Sequence, residues 1–184
     1  MEKTKIAVWQ RWDNLGLEYL KLTEIDSTVL VGSLIIAVED NVPFQLRYRL
    51  RCDENYQVQR VTIALSGQSS IFMARKHGRW FDVDNHPLPA FDDCDDIDIS
   101  ATPFTNTLPI RRLEWQPGQS RSLNMIYIRI PELTIERVTQ RYSCIERNVQ
   151  SSLFEYSQPG FSAILPIDAD GFVQNYPELF RRLS

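Results

Sequence analysis

The chain has 184 residues, of which 43% are hydrophobic, 11% aromatic and 24% charged. These values are typical of a globular protein and exclude a disordered or fibrous one. Its net charge of −4 and pI near 5.2 disfavour a broad electrostatic interaction with nucleic acid, which requires a basic face. Because a chain of this length fits one domain, we expect a single domain over residues 1–184.

The start of the chain and its cysteines point to the cytoplasm. Residues 1–9 include a glutamate at position 2 and no long apolar segment, so we expect no secretory signal. The longest apolar run, residues 29–38, is interrupted by Gly32 and Ser33. It is too short for a transmembrane helix, which needs roughly 20 residues. The cysteines are odd in number and lack a Cys-x-x-Cys pair, so we expect them to be buried and reduced; they are Cys52, Cys94 and Cys144.

The first half of the chain predicts short strands separated by polar turns, including a turn at residues 66–69. The predicted strands are residues 5–12, 17–23, 29–38, 44–52, 57–65, 71–76 and 79–83. Residues 44–52 show the clearest alternation, with apolar side chains on one face and three arginines on the other. Residues 29–38 are apolar on both faces, which predicts a central strand covered on each side.

The second half continues this pattern and then changes at its end. Its predicted strands are residues 123–130, 133–143, 153–156, 161–167 and 172–174. Within residues 133–143 the apolar positions change parity, which indicates a β-bulge. A C-terminal helix is predicted by apolar residues at helical spacing, namely Tyr176, Leu179, Phe180 and Leu183. Asn175 would cap this helix, and Pro177 fits its first turn.

Together these elements predict a mainly β fold. Short strands at regular spacing with polar turns are typical of an all-β meander, sandwich or barrel. Bulges let a sheet curl toward closure. We therefore predict a single curved antiparallel sheet that forms a half-open β-barrel, with a short C-terminal helix.

Few residues could carry nucleophilic or metal chemistry. The two histidines, His77 and His86, lie in predicted turns, and only His86 has nearby aspartates for a catalytic triad. Neither histidine has the spacing of a zinc site, and the glycines are isolated rather than grouped in a phosphate-binding loop. We therefore expect no cofactor, no metal and no catalytic histidine.

The segment 92–113 concentrates the polar residues of the chain. Its first half contains five aspartates: Asp92, Asp93, Asp95, Asp96 and Asp98. Asp96 and Asp98 alternate with isoleucines, so an extended chain would place both carboxylates on one face, about 6.5–7 Å apart at the α-carbons. Three interpretations are open: structural pairing with arginine, hydrogen bonding to sugar hydroxyls, and calcium binding or catalysis of the glycosidase type.

The second half of this segment restricts its own conformation. Pro103 and Pro109 disfavour a helical conformation of the residues before them, so we expect no continuous helix. The polar residues between the prolines could order a loop or contact a ligand; they are Thr105, Asn106 and Thr107. Arg111 and Arg112 would point to opposite faces, and one of them could pair with Asp96 or Asp98 as a structural brace or serve a ligand.

Residues 94–98 and 102–113 resemble the most characteristic motif of a bacterial family of glycolipid-binding proteins. They read Cys-Asp-Asp-Ile-Asp and Thr-Pro-Phe-Thr-Asn-Thr-Leu-Pro-Ile-Arg-Arg-Leu. The resemblance covers nearly the whole chain and includes residues 12, 16–20, 140–142, 154–156 and 168–177. The chain departs from the family pattern at Asp93, where a glycine is expected, and at Tyr56, where a tryptophan is expected.

The resemblance implies a curved, many-stranded β structure similar to the half-open barrels of bacterial lipoprotein localization factors. It also implies binding of a glycolipid-like molecule, with acyl chains on the apolar strand faces. The residues expected to contact the ligand are Asp96, Asp98, Thr105, Asn106, Arg111, Arg112, Gln140, Tyr142 and Tyr156.

Two other functions remain open at this point. A glycolipid hydrolase using Asp96 and Asp98 would need one carboxyl with a raised pKa beside an open cleft. A protein-interaction module without a small ligand would have a dry interior filled by side chains.

Overall fold

The structure, a computed structural model, describes residues 2–67 and 70–184. Its strands are β1 (Lys3–Arg11), β2 (Gly16–Ile25), β3 (Thr28–Glu39), β4 (Val42–Asp53), β5 (Val58–Leu65), β6 (Ser70–Lys76), β7 (Arg79–Phe81), β8 (Asp96–Ile99), β9 (Ser120–Arg129), β10 (Thr134–Arg147), β11 (Ser151–Gln158), β12 (Phe161–Asp168), β13 (Asn175–Tyr176) and β14 (Phe180–Arg182). One α-helix, α1 (Thr107–Arg112), and two short 3-10 helices, Pro89–Phe91 and Phe104–Asn106, complete the elements of these residues.

The predicted mainly β fold is confirmed, and its strands divide into two curved sheets. The larger sheet has nine strands in the order β13-β14-β1-β2-β3-β4-β5-β6-β7, and the smaller has five in the order β12-β11-β10-β9-β8. Every pairing is antiparallel except the one between β8 and β9, which is parallel. A single sheet was expected, but the connection over residues 82–95 carries the chain from β7, an edge strand of the larger sheet, to β8, an edge strand of a second sheet. Neither sheet closes into a barrel within the described residues, in agreement with a half-open form.

The larger sheet is built from adjacent hairpins whose inward side chains form the main core. Along β4 the residues alternate between buried and exposed, as the period of the sequence predicted. Tyr48, Leu50 and Cys52 on β4 are each at most 2% exposed. They pack with Ile97 and Ile99 of β8, so the smaller sheet contributes to the same core. The three cysteines are buried and unpaired, as expected.

The predicted C-terminal helix is wrong, because the segment forms the hairpin of β13 and β14. In this hairpin Tyr176 lies opposite Phe180, and the chain turns through Glu178 with a φ of 63°. Their rings contact at a centroid distance of 6.3 Å. An i, i+4 pair of aromatic residues faces the same way in a helix, but a tight hairpin also places these two residues side by side. β14 then pairs with β1, which adds the hairpin to the edge of the larger sheet.

The α-helix found among the described residues lies instead in the segment after β8. A 3-10 turn at Phe104–Asn106 leads directly into α1, with Asn106 at its N-cap position. Pro109 falls in the first turn of α1, where a backbone N–H has no intrahelical partner, so the helix tolerates it. The expectation that the residue before Pro109 is not helical is therefore wrong.

Three further expectations have different outcomes. The strand predicted at residues 29–38 is central in its sheet, but only its inward face is covered, as the exposed Leu30 and Ile36 show. The bulge predicted within residues 133–143 is wrong in position, because β10 pairs with β9 in unbroken register from Thr134 to Ser143. A bulge occurs further along β10, between Cys144 and Glu146, where β10 pairs with β11. Residues 68 and 69 of the predicted turn lie outside the described residues.

No helix among the residues that the structure describes is long and apolar enough to cross a membrane.

Candidate functional site

The site is organised around β8, an edge strand that is buried on both faces. Ile97 and Ile99 point into the main core, and both are 0% exposed. The carboxylates of Asp96 and Asp98 therefore share the opposite face, as the strand period predicted. The parallel pairing aligns Asp98 with Tyr127 of β9, so the two residues lie side by side.

Asp96 is a structural anchor. Arg112 donates two hydrogen bonds to its carboxylate, from Nε to Oδ1 at 3.1 Å and from Nη2 to Oδ2 at 2.5 Å. The side chain of Asp96 is 0% exposed and that of Arg112 is 12% exposed, so this ion pair is shielded from solvent. Burial raises the pKa of Asp96, while the hydrogen bonds and charge of Arg112 oppose that rise. The pair ties α1 to β8 and leaves Asp96 unavailable as a free acid or base.

Asp98 has a different environment, without a cation among its hydrogen-bond partners in the described residues. Thr105 Oγ1 donates to Oδ1 at 2.8 Å, and Gln140 Nε2 donates to Oδ2 at 2.6 Å. Burial raises the pKa of Asp98, and these two hydrogen bonds moderate the rise. Because each carboxylate oxygen accepts about two hydrogen bonds, Asp98 retains acceptor capacity for a ligand. Thr105 and Gln140 are each 0% exposed and act by positioning this carboxylate.

Asn106 lies beside Asp98 and is fixed by two contacts. Its Oδ1 accepts a hydrogen bond from the hydroxyl of Tyr142 at 2.9 Å, and its Nδ2 donates to the carbonyl of Pro103 at 3.1 Å. The second N–H of the amide is left for another acceptor. Tyr142 is only 1% exposed, so it holds Asn106 in place from within the core.

Asp98 and Asn106 line a cavity of about 180 Å³ with a largely aromatic wall. The rings that line it are Tyr127, Tyr156, Phe161, Tyr176 and Phe180. The wall is continuous: Tyr156 lies 6.1 Å from both Phe161 and Tyr176, centroid to centroid. A few polar groups on an aromatic surface are the usual composition of a small-molecule site.

A second cavity, of about 280 Å³, adjoins the first, and both are lined by Ser100, Tyr127, Leu179 and Phe180. Its apolar part includes Ile35, Phe44 and Ile130, and its rim carries charged groups such as Arg11 and Arg129. The first cavity alone is smaller than most ligand sites, and the two together reach the lower end of the usual range of about 300–1,000 Å³.

Arg111 does not join this site. Its guanidinium lies over the ring of Tyr56, 4.9 Å from the centroid, and 3.9 Å from Oε1 of Glu24. Gly171 packs against it so closely that a Cβ at this position would lie 2.7 Å from Cδ of Arg111. Arg111 and Arg112 therefore do point to different sides, as expected, and only Arg112 meets the acidic pair.

A buried carboxylate that the sequence did not reveal lies behind the cavity. Glu18 of β2 is 3% exposed, and its Oε1 accepts hydrogen bonds at 2.7 Å from Ser33 Oγ and from the hydroxyl of Tyr48. Within the described residues, Oε2 has no hydrogen-bond partner. Burial raises the pKa of Glu18 to about 7, against the opposing effect of these hydrogen bonds. The Tyr48 hydroxyl is 3.3 Å from Oγ1 of Thr102, which lines the smaller cavity and so connects it to Glu18.

His86 lies apart from this site on an exposed loop. Its Nδ1 is 3.3 Å from Oδ2 of Asp82, and together with Asp84 these residues offer ligand atoms within 4.8 Å of one another. Asp82 Oδ1 already accepts hydrogen bonds from the backbone N–H groups of Asp84 and His86. The geometry is that of a side chain ordering its own loop.

Comparisons with known proteins agree with this architecture. The model of a family described as "Putative glycolipid-binding" matches residues 6–182. The crystal structure of a DUF1089 family protein from Pseudomonas aeruginosa is similar to the chain, with a TM-score of 0.79 and 34% sequence identity over 90% of this chain and 92% of that one. No curated protein matches the chain.

Proposed function

Since this chain belongs to the glycolipid-binding family, we propose that it binds a glycolipid-like amphipathic molecule and catalyses no reaction on it. The observation that carries this proposal is the cavity in which Asp98 and Asn106 meet a wall of aromatic rings. A sugar ring presents hydroxyl groups at its rim and C–H groups on its faces. The Asp98 carboxylate would accept hydrogen bonds from hydroxyls, while the aromatic rings would pack against the C–H faces.

The apolar part of the ligand has less room than the sequence suggested. The inward faces of the large sheet are filled by the main core, in which Trp9, Leu20 and Ile63 are at most 1% exposed. We therefore propose that the head group occupies the smaller cavity and that the tail leaves through the adjoining one. The interior is filled, as an interaction module would require, but the two cavities give a small ligand a defined place.

The geometry disfavours a hydrolase that uses the acidic pair. Such an enzyme needs two carboxyls that act on one bond, and Arg112 holds Asp96 in a bidentate ion pair. Of the two carboxyls, only that of Asp98 combines a raised pKa with a position in the wall of a cavity. We propose that its role is to accept hydrogen bonds from the head group.

We propose that the protein acts in the cytoplasm, in agreement with three cysteines that are buried and unpaired.

Extraction of the purified protein with organic solvent, followed by mass spectrometry, would identify a bound lipid. Recovery of no lipid, combined with no rise in melting temperature across a panel of glycolipids, would contradict the proposed function.

We expect the substitution Asp98→Asn to weaken binding of octyl glucoside, a short-chain probe with a sugar head group. The amide keeps the shape of the carboxylate but loses its charge and one acceptor, and a hydrogen bond to a charged group contributes about 1.5–3 kcal/mol. The dissociation constant measured by calorimetric titration should therefore rise at least roughly tenfold.

Asp92→Asn is the matched control, because Asp92 belongs to the same acidic segment but does not line either cavity. If both variants bind the probe as the unmodified protein does, Asp98 does not contact the head group.

A further inference from the structure

The outward face of the large sheet carries an apolar patch that the fold leaves uncovered. This outer apolar patch consists of Leu15, Leu17, Tyr19, Leu34, Ile36 and Pro43, which border one shallow groove. The strand register pairs Leu17 with Ile36 and Tyr19 with Leu34, so the side chains adjoin across β2 and β3. Leu17 and Tyr19 are each 48% exposed and Ile36 is 59% exposed. An apolar cluster of this kind on a surface is typical of an interaction site.

A group of basic residues continues from the patch along the same face. This basic row consists of Lys21, Arg47, Arg49, Arg51 and Arg60, all exposed. The register connects the two features directly, because Leu34 pairs with Arg47 and Gly32 pairs with Arg49. No member of the row forms an ion pair with another described residue.

Gly32 leaves a hollow between these cations. A Cβ placed at Gly32 would have no other atom within 4 Å, so the surface is open there. The hollow has a volume of about 530 Å³, and Lys21, Arg49, Arg51 and Arg60 all line it. A hollow surrounded by four cations has the size and charge to receive an anionic group such as a phosphate.

The charge of this outward face indicates what kind of partner it would bind. The outward-facing positions of β1–β5, all of which the structure describes, include one acidic residue, Asp53 at the end of β4. The whole chain nevertheless has a net charge of −4, so the basic row differs in sign from the chain as a whole. A face of this charge attracts an anionic surface.

We propose that this face docks on an anionic lipid bilayer, with the outer apolar patch entering the interface and the basic row contacting lipid phosphates. Apolar side chains next to lysines and arginines are the combination by which proteins bind the bilayer surface. Nucleic acid would match the basic row but leave the apolar patch in water. A second copy of the chain, docked face to face, would bring two basic rows together.

The docking face lies on the opposite side of β3 from one cavity of the proposed site. Ala37 of β3 lines both the groove of the outer apolar patch and the cavity of about 280 Å³. Ile36 of the patch and Ala37 point to opposite faces of the sheet, so a docked protein would have the bilayer on the other side of this sheet from that cavity. The docking proposal does not depend on the identity of the ligand, since the face is complete without it.

Cosedimentation with vesicles tests the proposal. We expect the protein to bind vesicles of phosphatidylglycerol and phosphatidylcholine, to bind vesicles of phosphatidylcholine alone far less, and to dissociate as salt is added. The double substitution Arg49→Gln and Arg51→Gln should lower the partition coefficient roughly 30-fold, because each basic residue near the surface contributes a factor of about five.

Two matched controls separate this face from the rest of the surface. Arg141→Gln with Arg147→Gln removes two exposed arginines from β10 of the smaller sheet and should leave vesicle binding unchanged. Ile36→Ser should lower binding about tenfold through lost apolar burial, whereas Ile164→Ser, at an isoleucine that is 42% exposed on β12, should not. Circular dichroism would confirm that the variants fold. If the Arg49 and Arg51 variant does not fold, Arg47→Gln with Arg60→Gln tests the basic row with a second pair of substitutions.

Several outcomes would overturn the proposal. These are equal binding to both kinds of vesicle, equal loss of binding in the control variants, and a concentration-dependent dimer that Ile36→Ser abolishes. Tighter binding to an RNA or DNA oligonucleotide than to anionic vesicles, unaffected by Ile36→Ser, would assign the face to nucleic acid instead.

Discussion

Replacing Arg112 with methionine is expected to destabilise the protein by about 3–5 kcal/mol, because it leaves the carboxylate of Asp96 buried without its partner. Asp96 is 0% exposed and receives both of its side-chain hydrogen bonds from Arg112. Urea unfolding followed by tryptophan fluorescence measures the loss directly. The midpoint of thermal unfolding should fall by roughly 6–20 °C.

Two further variants show whether the loss comes from the buried charge. Arg137→Met breaks an ion pair with Asp93 whose side chains are 43% and 53% exposed, so it should change the stability little. Adding Asp96→Leu to Arg112→Met removes the stranded carboxylate and should restore most of the stability. If Arg112→Met costs no more than Arg137→Met, the pair does not anchor α1 to β8.

Replacing Glu18 with glutamine is expected to remove a pH dependence of stability. Burial raises the pKa of Glu18 from 4.5 to about 7, so between these values the folded protein holds a proton that the unfolded chain releases. The free energy of unfolding therefore falls as the pH rises through this range, and the full penalty is present above pH 7. The penalty is about 3 kcal/mol, from 1.36 kcal/mol per unit of pKa shift.

The measurement compares the unfolding free energies of the two proteins at pH 5 and at pH 8. Glutamine imitates the protonated acid, so the variant should exceed the unmodified protein by less than about 1 kcal/mol at the lower pH and by about 3 kcal/mol at the higher one. Glu39→Gln is the control, since Glu39 pairs with Arg11 at a partly exposed position. A stability difference that is the same at both pH values would show that Glu18 is ionised throughout.

The local parts of the fold could be predicted from the sequence. Alternation in residues 44–52 predicted which face of β4 is buried, because a strand's period depends only on its own residues. The pairing of β8 with β9 could not be predicted in this way, since it joins residues far apart in the chain. The prediction of a C-terminal helix was wrong because the spacing of Tyr176 and Phe180 fits a helix as well as the hairpin in which they pair.

The candidate site, too, could be predicted only where it depends on local sequence. The strand period placed Asp96 and Asp98 on one face, and the expected arginine partner is Arg112. Tyr127 and Tyr176 were missed, because they reach the cavity only through the pairing of distant strands. Glu18 was missed because the apolar residues of β2 occur on both faces, so the sequence did not show which face is buried.

A crystal structure of the protein soaked with octyl glucoside tests the central claim most directly. We predict that the sugar ring lies in the cavity of about 180 Å³, with at least one hydroxyl donating a hydrogen bond to Asp98 and a ring face against Tyr127 or Tyr156. A glucoside bound only on the outer apolar patch, or a cavity filled by solvent alone at saturating probe, would contradict a head-group site at Asp98.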